Sequence, residues 1–325
     1  HIIMTDKIVI QKFANEDGEY KRLVSSFRDT ISINGKFKPE PNRYHLYVSY
    51  ACPWAHRTLI TRILKGLTNI IGVTVVHWHM DNNGWRFATK EEGLTEAIDS
   101  TPDPLYDFKR IKELYFKANS NYQGRFTVPV LWDKKLETIV NNESSEIIRM
   151  LNTEFNSIID EKFAKIDIYP ESLKNQIDEL NDWIYPNINN GVYKSGFATK
   201  QEPYEREVKN VFKYLDKLED LLKERHNNGE KFLLGNLINE ADIRLFTTLI
   251  RFDPVYHQHF KCNIKMIRHD YPNINQYLKE LYWNNNAFKD TTNFEHIKFH
   301  YTKSHPEINP HGITPLGPIP NIMPL

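Results

Sequence analysis

Cys52 is the residue whose setting in this sequence best suits it for chemistry. It lies in Cys52-Pro53-Trp54-Ala55-His56-Arg57, where a strand-forming run, His45 to Tyr50, gives way to the helical spacing of Ala55, Leu59, Ile63, Leu64 and Leu67. Proline suits the first helical position, because its missing N–H would have been unbonded there, so Cys52 is expected near the helix N-cap. The free N–H groups and partial positive charge of a helix start stabilise a thiolate and lower a thiol from its ordinary ~8.5 by one to several units. His56 and Arg57 are positioned to add to that effect. The competing reading is a buried packing cysteine, the commoner fate of the residue in general. The Cys-Pro corner favours the reactive one.

The absence of a second cysteine nearby is equally informative. A dithiol oxidoreductase would carry cysteine at position 55, where Ala55 stands, and Cys262 has no spacing that makes it a resolving thiol. A mixed disulfide at Cys52 must then be released by an external thiol, which in a reducing cell is glutathione. Val128-Pro129 fits a cis-proline edge whose backbone pairs with a bound peptide, or equally an ordinary edge or bulge proline. Glu143-Ser144 opens a helix. Its N–H groups can bind a carboxylate and its acidic side chain an ammonium, both present on a γ-glutamyl group, although simple capping is the plainer alternative.

Tyr193, Tyr256 and Tyr301 can line an aromatic site or serve only as packing. The pairs His77/His79 and His257/His259 alternate as strand partners would, yet no cysteine or carboxylate spacing converges on them, so no metal is expected. Lys223-Glu224-Arg225 reads as a solvated face.

The elements that must position these groups divide the chain in two, as 325 residues at ~150 per domain suggest. His45 to Tyr50, the helix after Cys52 and a strand over Gly72 to Met80 form a βαβ unit with a right-handed crossover. A long insertion with a helix signal at Phe108 to Phe116 follows. Then come strands over Phe126 to Trp132 and Thr138 to Val140 and the helix opened by Glu143: the order of a thioredoxin-type domain with a mixed sheet. Beyond Pro170 only amphipathic helices are evident, around Leu173 to Ile184, Val208 to Leu222, Asn239 to Ile250 (Asn239 as N-cap, Asp242 three residues on) and Ile274 to Trp283. The first forty residues read as a polar, irregular arm over the body, with His1 to Ile3 preceding a native Met4. The tail, with Pro306, Pro310, Pro315, Pro318, Pro320 and Pro324, must be pinned by the body or a partner subunit. Lys+Arg 42 against Asp+Glu 42 leaves no net charge, which disfavours nucleic acid as a partner. Two cysteines exclude a disulfide scaffold, and neither a membrane span nor a signal-peptide core is visible, so the cytoplasm is the expected compartment.

Taken as strings, Tyr47-Val48-Ser49-Tyr50-Ala51-Cys52-Pro53-Trp54-Ala55-His56-Arg57, Gly84-Trp85, Arg125-Phe126-Thr127-Val128-Pro129-Val130, Asn141-Asn142-Glu143-Ser144-Ser145-Glu146, Gly191-Val192-Tyr193, Ala241-Asp242-Ile243-Arg244 and Asp253-Pro254-Val255-Tyr256 resemble the omega-like glutathione transferases. Within that branch they resemble more closely the glutathionyl-hydroquinone reductases, or xi class. The resemblance implies the α+β two-domain glutathione transferase fold: an arm over 1–42, a thioredoxin-like glutathione-binding domain over 43–155, an all-α substrate and dimerisation domain over 170–290, and an ordered proline-rich extension over 291–325. It also implies Cys52 as nucleophile; Trp85, Arg125, Val128, Glu143 and Ser144 as glutathione ligands; and Tyr193, Tyr256 and Tyr301 as the aromatic pocket, with Tyr193 and Tyr301 catalytic. The implied cosubstrate is glutathione without a metal, the acceptor a quinone-derived aromatic, and the assembly a homodimer. The alternatives are an omega-type thioltransferase or dehydroascorbate reductase using the same Cys52, and a non-catalytic transferase-like scaffold.

Overall fold

The computed structural model describes residues 2–5, 8–11 and 26–325. Four strands, β1 (Tyr44–Val48), β2 (Gly72–Val75), β3 (Val130–Asp133) and β4 (Thr138–Asn141), form a mixed sheet in the order β2-β1-β3-β4. β1 runs parallel to β2, with Leu46 opposite Val73, and antiparallel to β3, with Leu46 opposite Leu131. The crossover is α1 (Pro53–Leu64). β1 is buried along its whole length, as expected of a strand covered on both faces. α2 (Ile111–Ala118) and α3 (Ser144–Thr153) complete this half.

Several boundaries differ from the sequence reading. The second strand stops at Val75 rather than Met80: the N–H of His79 turns back to His77 Nδ1 at 2.9 Å, and Met80–Asp81 instead pairs with Gly84–Trp85. β3 begins only at Val130, since Pro129 offers no N–H to a ladder. The expected irregular arm contains an antiparallel pairing of Ile2–Thr5 with Ile8–Gln11. His1, residues 6 and 7, and residues 12–25 of that arm lie outside the described residues. From Phe27 the arm runs along β4. Asp29 N–H donates to Val140 O at 3.0 Å, Asn142 N–H donates to Phe27 O at 3.0 Å, and Ile31 and Phe37 are buried. That contact covers the edge strand of the sheet.

The second half is all helical: α4 (Lys174–Ile184), α5 (Asn190–Gly196), α6 (Gln201–Asn227), α7 (Glu240–Arg251), α8 (Pro272–Asn284) and α9 (Phe294–Ser304) are its principal helices. Asn239 caps α7 in a reciprocal box with Asp242, as its sequence signature predicts. α7 is buried nearly throughout and packs against α1, joining the two halves. It continues into the wider π-type turn Phe252–Tyr256, where Pro254 can donate no N–H.

α5 and α9 were not evident as helices, and α9 falls within the stretch read as an extension. The proline-rich tail beyond α9 is held by the body. Arg268 donates to Pro320 O at 2.8 Å and to Asn321 O at 3.0 Å, and Trp283 Nε1 donates to Met323 O at 2.9 Å. Among the described residues no helix is long and apolar enough to cross a membrane.

Candidate active site

Cys52 is the N-cap of α1, with extended backbone (φ −75°, ψ 119°) and Pro53 next to it. Its carbonyl accepts the first helical bond from His56 N–H at 3.0 Å, while its thiol makes no capping bond. The sulfur is therefore not spent on the helix. Sγ lies 3.6 Å from Val128 O, just before the cis Val128–Pro129 bond, and Cys52 is 9% exposed.

Glu143 is the N-cap of α3 and accepts from Ser145 N–H at 3.4 Å and Ser145 Oγ at 3.2 Å. Arg57, one turn into α1, donates to Ser144 Oγ at 3.3 Å and lies 4.8 Å over the Trp54 ring. The thiol-bearing helix is thus tied directly to the start of α3. Arg125 is half-buried three residues before Val128, and its carbonyl accepts from the Tyr122 hydroxyl at 2.5 Å. Trp85 is buried and stacks on His300 of α9, with centroids 4.7 Å apart.

Next along α9, Tyr301 is the middle of a phenol triad. Its hydroxyl is 2.5 Å from that of Tyr193 and 2.7 Å from that of Tyr256. The Tyr193 ring also packs 6.0 Å from Trp54. Burial, reinforced by the neighbouring phenols, drives Tyr193 and Tyr301 well above the ordinary tyrosine range, and burial pushes Tyr256 up to about 12. All three keep their protons at neutral pH. A negative charge on Cys52 acts on both Tyr193 and Tyr256, so triad and thiol share one electrostatic environment.

Cys262 is fully buried, and burial pushes its thiol up to about 12. That makes it a poor thiolate former at neutral pH.

The histidine pairs do not behave as strand neighbours. His259 bonds His305, Nε2 to Nδ1 at 3.0 Å, rather than working with His257. His77 meets two carboxylates that its sequence spacing did not suggest: Nε2 is 3.4 Å from Glu96 and 3.8 Å from Glu92, a grouping of metal-site size. The donor set does not fit a cation. Because His77 Nδ1 accepts the His79 N–H, the ring proton sits on Nε2, and that nitrogen has no lone pair for a metal. Glu92 is moreover held by Arg86 at 2.8 Å and 2.9 Å, which lowers its carboxyl to about 2.

Sequence reasoning missed Arg251, and the positive charge it expected of His56 beside Cys52 is not there. His56 Nδ1 lies 2.9 Å from Arg251 Nη1, and since a guanidinium only donates, His56 must accept. Its proton is on Nε2, bonded to Thr291 Oγ1 at 2.8 Å. Burial first, and the Arg251 charge second, hold His56 neutral, so it adds no positive charge at Cys52. The available signal was an arginine in the last turn of a helix otherwise apolar around most of its circumference.

Comparison with known proteins gives a consistent result. Residues 51–154 match the description "Glutathione S-transferase, N-terminal domain" and residues 201–280 match "Glutathione S-transferase, C-terminal domain". The chain is 60% identical over 315 residues to "Glutathione S-transferase omega-like 2" of Schizosaccharomyces pombe, covering 96% of this chain and 97% of that protein. It is 49% identical over 310 residues to "Glutathionyl-hydroquinone reductase YqjG" of Escherichia coli, covering 93% and 89%. Among solved structures, the xi glutathione transferase ECM4 of Saccharomyces cerevisiae in complex with glutathione is similar at a TM-score of 0.89 and 53% identity, covering 93% of this chain and 100% of that one.

Proposed function

The chain belongs to the glutathione transferase family, in its xi, omega-like class, whose members are glutathione-dependent enzymes, and on that premise we propose that it reduces glutathionyl-hydroquinones to hydroquinones through a Cys52–glutathione mixed disulfide. The observation that carries this reading is a thiol at a helix start that makes no capping bond, in the same electrostatic environment as three hydrogen-bonded phenols and without a second cysteine nearby to resolve it.

Glutathione is the cosubstrate in this reading. The N–H groups at Ser144 take the γ-glutamyl carboxylate, Glu143 takes the ammonium, and the Val128 backbone pairs with the peptide beside Cys52. Trp85 and Arg125 complete the site. The aromatic part of the substrate lies against Tyr193, Tyr256 and Tyr301.

The Cys52 thiolate attacks the glutathione sulfur of the thioether. An S–S bond forms, the C–S bond breaks, and its electron pair passes to the ring carbon. That carbon needs a proton, and the Tyr193 hydroxyl supplies it, replenished from Tyr301 and Tyr256. A second glutathione thiolate attacks the mixed disulfide, giving oxidised glutathione and free Cys52, with ping-pong kinetics. In sum, one glutathionyl-hydroquinone and one glutathione become one hydroquinone and one glutathione disulfide.

The triad favours this reading over an omega-type thioltransferase, since exchange between sulfurs needs no proton donor to carbon, and the assay distinguishes it from a dehydroascorbate reductase, whose acceptor also takes up protons. Steady-state rates with glutathionyl-menadiol and with dehydroascorbate on one preparation test it: faster turnover of the first supports the proposal, and turnover of dehydroascorbate alone refutes it. A non-catalytic scaffold would need no thiol at Cys52. A cytoplasmic homodimer joined through the helical domains is part of the same proposal, with sedimentation as its test.

A further inference from the structure

A cavity of about 170 Å³ lies between the segment that follows α7, one face of α9 and the tail. Neither Cys52 nor any of the three phenols lines it. Its apolar wall is Val255, Ile308, Ile313 and Pro315, and its charge comes from Lys261 and Lys298. Among the described residues that line it there is no carboxylate. The tail side is built in place by hydrogen bonds. Asn309 Nδ2 donates to Thr302 O at 2.7 Å and to Ile313 O at 2.9 Å, and the hydroxyls of Thr302 and Thr314 are 2.6 Å apart. The lining runs from buried Val255 and His259 to exposed Lys261 and Ile313, so the space communicates with solvent.

Both ammonium groups lack a counter-charge. Lys298 Nζ donates to neutral acceptors, Leu316 O at 3.1 Å and Asn321 Oδ1 at 3.5 Å, and burial lowers it with no acid opposing the shift. Lys261 makes no ion pair among the described residues. Burial lowers His259 to about 4, and the Lys261 charge adds to that, which puts the ammonium within electrostatic reach of a buried ring in the cavity lining. The Lys261 backbone is an independent sign. It sits at φ +58°, in the left-handed region, where a lysine is strained and a glycine is not. Its carbonyl accepts from the Tyr204 hydroxyl at 2.6 Å, which helps to hold the turn. Backbone strain of this kind persists where the surroundings impose it, and it gathers at ligand clamps.

Size and charge together select the ligand. An apolar cavity of ~150 Å³ admits benzene, so the space here takes one aromatic ring with a short substituent. Two unneutralised cations and no acid make that substituent an anion. We propose that this cavity binds a small aromatic carboxylate, its ring against Val255, Ile308 and Pro315 and its carboxylate paired with Lys261 and Lys298. Charge-assisted hydrogen bonds to the ammonium groups give selectivity over a neutral ring of the same shape. The site is separate from the Cys52 chemistry, and it stands or falls independently of that reading.

Isothermal calorimetry of the full chain with benzoate tests the proposal. Saturable one-site binding is expected. Benzamide keeps the ring and loses the charge, while acetate keeps the charge and loses the ring, and each should bind about tenfold more weakly or worse. Lys261→Gly removes one ammonium and relieves the left-handed backbone, so benzoate should bind about fivefold more weakly while Tm stays equal or rises. Ile308→Trp fills the space and should abolish binding.

Absence of benzoate binding to the unaltered protein overturns the proposal. Benzamide binding as tightly as benzoate also overturns it, since the cavity would then be merely apolar. Benzoate affinity unchanged in Lys261→Gly, or retained in a folded Ile308→Trp, places the ligand elsewhere and overturns it as well. If Ile308→Trp does not fold, Lys261→Gly decides the matter alone, because its substitution suits the backbone it enters.

Discussion

Replacing Tyr301 by Phe deletes the central hydroxyl of the triad and leaves both outer ones. Tyr301 is 1% exposed and Tyr256 0%, so water cannot readily fill the gap, and the hydroxyls of Tyr193 and Tyr256 each lose the partner they share. At about 1 kcal/mol for each bond lost, the substitution should cost about 2 kcal/mol of stability. In a chain of 325 residues unfolding as one unit that lowers Tm by roughly 3 °C. Tyr193→Phe breaks one of the two bonds and should cost about half as much.

The catalytic effect has a different pattern. If the triad delivers the proton to the ring carbon, either substitution removes a general acid or its resupply, and the first half-reaction should slow by about 10²-fold or more. Release of the mixed disulfide by glutathione involves only sulfur and should stay within about threefold. Rapid mixing separates the steps: hydroquinone release after mixing with glutathionyl-menadiol alone reports the first, and discharge of preformed Cys52–glutathione adduct reports the second. Equal slowing of both steps would refute the proton-donor role and reduce the triad to packing.

Cys52→Ser should abolish reductase turnover with Tm unchanged or slightly raised, because serine is a good N-cap where the cysteine makes no capping bond; substantial residual reductase activity would contradict this. Gly196→Ala should destabilise by about 1–3 kcal/mol and weaken aromatic binding, since a Cβ there would stand 2.0 Å from the Phe260 ring and push α5, which carries Tyr193; an unchanged Tm would contradict the close packing. Asp242→Ala should cost about 1–2 kcal/mol from the lost α7 cap alone, measured by urea unfolding, and a neutral result would show that the capping box contributes nothing. Zinc titration should produce no saturable Tm rise attributable to His77, because its Nε2 carries the proton; a rise abolished by His77→Ala would overturn that tautomer assignment.

Local signals in this sequence were legible where one residue type has one physical use. Pro53 after Cys52 marked a helix start, and Asn239 with Asp242 marked another, because caps are written in the residues that make them. Cys52, Val128, Ser144 and the three tyrosines could be singled out, yet only the folded chain shows the thiol at Val128 O, Arg57 on Ser144, and Tyr301 between two other hydroxyls. What stayed hidden depends on tertiary contact. α5 begins and ends among glycines that propensity argues against, and it is helical because Gly191 and Gly196 admit Val211 and Phe260 at close range. α9 sets two histidines, one tyrosine and one threonine among its apolar residues, and its faces are claimed by Trp78, Trp85 and the other tyrosines rather than by a regular apolar stripe. Arg251 reads as an ordinary basic residue in a last helical turn until its four acceptors are located.

The most direct measurement is the mass of the intact protein during a single turnover. Mixed with a glutathionyl-hydroquinone and no free glutathione, the chain should gain about 305 Da on Cys52 as hydroquinone appears, and added glutathione should return it to its starting mass with one equivalent of glutathione disulfide. Hydroquinone formed without that adduct, or an adduct that excess glutathione leaves in place, would contradict the account.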